Sequence, residues 1–91
     1  MFKKKIDNYI FVAPSKKNKK YDAYDAKTGK YITSFGGLYK DGTPYEQFFD
    51  KIGYYSEYNH LDDKRRENYY RRHGNVGKKN SAKYFSSYFL W

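Results

Sequence analysis

Apolar residues in this chain change their spacing as the sequence proceeds. Over residues 8–14, NYIFVAP, they form a short run ended by Pro14, the pattern of a strand. SKKNKK at 15–20 is a lysine loop. In YDAYDAKTGKYITSFGG strict alternation takes over. Tyr21, Ala23 and Asp25 mark one strand, Tyr31, Thr33 and Phe35 its return, and AKTG the turn between them. Gly36 and Gly37 end the pair. This half predicts a small antiparallel β-meander of three strands, over about residues 6–36.

At DGTPYEQFFDKIG the period lengthens. Tyr45, Phe48, Phe49 and Ile52 recur at i, i+3, i+4 and i+7. Thr43 can cap, Pro44 suits the first helical position, and Glu46 completes a capping box. Gly53 is a terminator. A helix is expected here, its aromatic face in the core. HLDDKRRENYYRRHG predicts another. Asn59 or His60 caps it, and Leu61, Asp62 and Asp63 begin it. Arg71, Arg72 and His73 lie at its negative end, and Gly74 stops it. Asp62–Arg65, Asp62–Arg66, Asp63–Arg66 and Glu67–Arg71 have helical pairing distances. NVGKKN reads as a loop. In SAKYFSSYFLW, Ser81 can cap while Tyr84, Phe85, Tyr88 and Phe89 fit helical spacing, with a strand as the competing reading. The fold class is therefore α+β, a meander followed by two or three short helices with an aromatic core. Residues 1–91 form a single small domain with basic N-terminal and C-terminal segments.

Composition sharpens this picture. A formal net charge of +9, 32% charged residues and a mean hydropathy of −1.17 point toward disorder. Thirteen Tyr, seven Phe and one Trp point the other way. Tyrosine joins an apolar body to a polar tip, which suits a core that is also an interface. There is no cysteine, hence no disulfide and no thiolate metal ligand, as befits a reducing compartment. No apolar run approaches membrane-spanning length, and the apolar part of MFKKKIDNYIFVAP is short for a signal peptide.

Charge is unevenly placed. Residues 1–20 carry seven lysines against Asp7, residues 68–91 carry five basic side chains and no acid, and residues 21–67 carry a slight acidic excess. Basic ends around a near-neutral centre suit nucleic acid or acidic protein surfaces. Lys3, Lys4, Lys5, Lys16, Lys17, Lys19, Lys20, Lys78 and Lys79 are the candidate contacts. All four arginines fall in residues 60–74, with both histidines. A guanidinium is favoured where a planar fork grips a carboxylate, a phosphate or a ring. Arg65 is expected to pair with Asp62. Arg72 is expected to stack on a tyrosine or Trp91, or to hold a backbone carbonyl, and so lock the helix to the aromatic tail. Arg66 and Arg71 then face a partner. His60 and His73 sit near opposite ends of one helix, about 20 Å apart if it is continuous, so no metal site is expected. No cofactor, catalytic group or small-molecule substrate is expected either.

His60, Asp62, Arg65, Tyr69, Arg72 and His73 spell H-x-D-x-x-R-x-x-x-Y-x-x-R-H. Ser81-Ala82, Ser86 and a closing Phe89-Leu90-Trp91 follow. Over about residues 20–91 this resembles a small family of uncharacterised proteins from nucleocytoplasmic large DNA viruses of algae and protists. Lys83 stands where that family has glycine, and GNVGKKN replaces its acid-tryptophan pair. The resemblance implies a viral protein, carried in the virion and present in the host cell during assembly. It implies no enzymatic activity. A minor structural or cement role beside other virion proteins is the first expectation. A small DNA-binding or genome-packaging role is the second.

Overall fold

The computed structural model describes residues 3–74 and 77–91, so the start of the expected 75–80 loop lies outside the described residues. Four strands, not three, form the meander: β1 (Lys3–Ile6), β2 (Tyr9–Val12), β3 (Tyr21–Asp25) and β4 (Tyr31–Phe35), antiparallel in the order β1-β2-β3-β4. The additional strand is the lysine segment. It returns through a two-residue turn at Asp7 and Asn8, where Asp7 takes φ 55°. The β3–β4 turn forms as the alternation predicts. Asp25 accepts from the amides of Lys27 and Thr28, and Gly29 takes φ 73°. Those two backbone donors also hold the Asp25 carboxyl below its usual range.

Register decides which side chains are buried. Phe11 faces Ala23, and Tyr21 faces Phe35, placing all four on one side of the sheet. Helix α2 (Ala82–Phe89), capped by the Ser81 hydroxyl, lays Phe85 and Phe89 on that side. The competing strand reading of this segment is thereby set aside. Phe35 and Phe85 stack at 5.3 Å, and Phe11 and Phe89 meet at 4.8 Å. Ile52 and Leu90 complete a core that is mostly rings. On the opposite side of the sheet, Asp22 is buried against Ser34, whose hydroxyl donates to it at 2.6 Å.

Residues 37–60 depart from expectation. No helix forms at 44–52. Residues 37–45 instead make a small hairpin around Asp41-Gly42, with Tyr39 N–H donating to Thr43 and Tyr45 N–H to Gly37. Residues 47–51 run as an irregular segment between two neighbours. Gln47 N–H donates to the Tyr58 carbonyl, while Phe49 and Lys51 donate to Leu90 and Phe89. Tertiary partners have captured the amides a helix would need. The aromatic face expected in the core is mostly outside it: Tyr45 and Phe49 are about half exposed, and Ile52 is buried. The buried members are polar. Gln47 is 0% exposed and Asp50 2%.

Helix α1 (Asp63–His73) ends on Gly74 as predicted. It starts later than predicted. Asp62, not Asn59 or His60, caps it, its carboxylate accepting from the amides of Lys64 and Arg65. Asn59 is spent elsewhere, accepting from Gln47 Nε2 and Asp50 N. A short 3-10 helix, Ser56–Tyr58, precedes it.

Candidate functional site

The motif residues assemble into a column of rings. Phe48 meets His60, His60 meets Trp91, Trp91 lies parallel to Tyr69 at 4.6 Å and 5°, and Tyr69 meets His73 at 4.4 Å. His60 lies ahead of α1, not on it, so both histidines belong to this column through different elements. Burial pushes the Tyr69 hydroxyl pKa up and the His60 pKa down, the latter reinforced by nearby Arg65. His60 Nδ1 accepts from Asp62 N at 2.9 Å, which places its ring proton on Nε2. Nε2 is buried without a hydrogen-bond partner.

The guanidinium roles are redistributed. Arg65 does not pair with Asp62, which is capping the helix. It reaches Glu46 on the 44–52 segment at 3.1 Å. Arg66, expected to face outward, is the clamp. Its Nε donates to the Trp91 carbonyl at 2.8 Å, and its Cζ lies 5.0 Å from the Phe48 ring centre and 5.8 Å from that of Tyr70. Tyr70 and Tyr69 add hydroxyl contacts to Ser87 on α2. Arg72, expected to be the clamp, is exposed and makes no hydrogen bond or ion pair among the described residues. Six residues apart, Arg66 and Arg72 point about 120° from each other around the helix, with Tyr69, which stacks on Trp91, between them. Arg71 pairs with Glu67 at 2.7 Å on the surface.

The lysines also divide. Lys3, Lys4, Lys5, Lys16, Lys17, Lys78 and Lys79 are exposed, and Lys19 partly so. Lys20 is not a surface contact: it is 1% exposed. Its stem crosses Gly36, where an added Cβ would come within 2.8 Å of it. Its ammonium donates to the Tyr45 carbonyl and to Gln47 Oε1. Burial brings its pKa down to about 8, with Asp50 opposing. Asp50 is a second buried hub, accepting from Ile52 N, Tyr55 N and the Tyr21 hydroxyl.

Between the 37–45 hairpin, α1 and α2 opens a cleft of about 720 Å³. Arg65, Tyr69, Arg72 and His73 line it from one face of α1, Lys83 and Trp91 from the C-terminal segment, and Lys19 from the loop before β3. Glu46, paired with Arg65, is the acid in its wall. Tyr39 and Tyr45 pack together at 4.1 Å on its hairpin side, and Gly37 makes room for the Tyr45 ring. Sequence reasoning missed Tyr39, Tyr45, Lys83, Gln47 and Asp50. The Asp-Gly pair at 41–42 was the signal for the hairpin that carries Tyr39 and Tyr45. Among the described residues, no group of three or more His, Cys, Asp or Glu side chains could hold a metal ion, and no helix is long and apolar enough to cross a membrane. No protein-family model, curated protein or solved structure matches this chain.

Proposed function

We propose that this protein is a non-enzymatic minor structural protein of a large double-stranded DNA virus particle, binding neighbouring capsid proteins through aromatic and basic surfaces. One observation carries the reading. Tyr31, Tyr39, Tyr45, Phe49, Tyr54 and Tyr88 are each between 42% and 51% exposed, on a domain with exposed lysines at both ends. Surface rings of this kind are enriched where proteins meet, and the lysines complement acidic neighbours. The H-x-D-x-x-R-x-x-x-Y-x-x-R-H resemblance supports the viral setting. Mass spectrometry of fractionated particles tests it. The protein is expected to stay with shells stripped of genome. Release with the DNA and absence from empty shells would refute it.

The exposed Lys16 and Lys17, with partly exposed Lys19, favour a second reading, a small DNA-binding or packaging protein of the virion. It predicts duplex affinity that falls steeply with salt, and a shallower slope when Lys16, Lys17 and Lys19 become Ala. Lys20 drops out of that set because it is buried.

A further inference from the structure

The cleft has an unbalanced wall. Lys19, Lys20, Arg65, Arg72 and Lys83 contribute positive charge, and Glu46 is already matched by Arg65. Lys20 is occupied by Tyr45 and Gln47, and Lys83 donates to the His73 carbonyl. Arg72 and Lys19 remain, with no hydrogen bond or ion pair among the described residues. The same wall carries two exposed rings, Tyr39 and Tyr45, and the edge of the column in which Trp91 lies between His60 and Tyr69. The volume, about 720 Å³, falls within the range of small-ligand pockets.

An anion with a planar heterocycle satisfies both halves of this wall. A phosphate matches the fork of Arg72 and the point charge of Lys19. A base stacks on rings irrespective of its sequence. An acidic peptide would answer the cations and leave the rings without a planar partner. A duplex keeps its bases stacked on one another and cannot offer one to a cleft. We propose that the cleft is a binding site for a nucleoside phosphate, either free or as one unit of a single strand. Arg72 and Lys19 hold the phosphate, and the exposed rings of Tyr45 and Tyr39 receive the base, with Trp91 in the wall close by. This goes beyond the capsid role and narrows the nucleic-acid reading to a place and a chemistry.

Trp91, the single tryptophan, is a built-in reporter. The full chain is titrated with deoxyadenosine monophosphate, a short single-stranded oligodeoxyadenylate, a duplex of equal length and a polyglutamate peptide. Indole fluorescence and the indole N–H resonance are followed together. Saturable changes with the first two probes are expected. Arg72→Ala and Tyr45→Ala, both at exposed positions, should each weaken binding about tenfold. Replacing Lys3, Lys4 and Lys5 by Ala should leave mononucleotide affinity unchanged. A tighter oligonucleotide identifies the strand as the source, and equal affinities identify the free nucleotide. Silence of both Trp91 signals, equal binding of polyglutamate, or unchanged affinity in both cleft variants overturns the proposal. Duplex binding through surface lysines with no Trp91 response would sink the cleft and leave the second reading standing. Mononucleotide binding without duplex affinity would do the reverse.

Discussion

Arg66 and Trp91 are joined across twenty-five residues of sequence by a 2.8 Å hydrogen bond from guanidinium to backbone carbonyl. The same guanidinium covers Phe48, so one side chain ties α1, the 44–52 segment and the chain's aromatic tail together. Arg72, six residues further along the same helix, makes no hydrogen bond or ion pair among the described residues.

A stability comparison follows directly. Arg66→Ala should cost about 1–2 kcal/mol, since it removes a charge-assisted hydrogen bond and a cation–ring contact. Arg71→Ala and Arg72→Ala should stay within about 0.5 kcal/mol. Thermal melts of the three variants decide it, and a larger loss at Arg72 would contradict the assigned clamp.

Lys20 should behave as an interior group. In native protein treated with an amine-reactive reagent, mass spectrometry should find Lys16, Lys17 and Lys79 modified well before Lys20. Lys20→Met keeps the stem and removes the ammonium, leaving Gln47 Oε1 and the Tyr45 carbonyl without their donor. The expected cost is about 2–3 kcal/mol. Early labelling of Lys20 would show that its side chain spends its time in water.

Tyr21 meets the same standard from the sheet side. Its hydroxyl donates to Asp50 and accepts from Tyr54 N–H. Burial pushes its pKa far up, with the Asp50 hydrogen bond contributing. Tyr21→Phe should destabilise by about 1–3 kcal/mol with the far-ultraviolet spectrum unchanged. No change in urea midpoint would mean that Asp50 is satisfied without it.

Acid should act through His60. Its pKa in the folded chain lies below the ordinary 6.5, so in that interval the unfolded chain binds more protons. Stability contributed above pH 6.5 is therefore lost as pH falls from that value toward the lowered one. His60→Asn retains an acceptor for Asp62 N–H and does not titrate, so its stability should vary less with pH there. Identical pH profiles for the two proteins would exclude His60 as the source.

Much of the framework was legible. Alternation at Tyr21, Ala23 and Phe35 located the meander, and Ser81 with Phe85 and Phe89 located α2. Gly74 marked the end of α1. The 44–52 segment misled because its local signals agree on a helix. Only the Leu90 and Phe89 carbonyls, about forty residues away, show what takes the amides of Phe49 and Lys51 from a helix. Lys20 looked like its neighbours in a lysine run. Its burial depends on Gly36 across the strand pair, a relation that spacing along one strand does not contain. The clamp was expected at Arg72 and stands at Arg66, which was expected to face a partner; which guanidinium reaches the tail depends on helix rotation.

The pairing of residues 49 and 51 with 90 and 89 makes one part of the fold depend on a remote one. The meander is held by hydrogen bonds between strands adjacent in sequence. The strip that carries the polar hub of Gln47 and Asp50 is held from one side by residues 89 and 90. Loss of those two carbonyls would leave the meander its own hydrogen bonds and take from this strip two of its anchors.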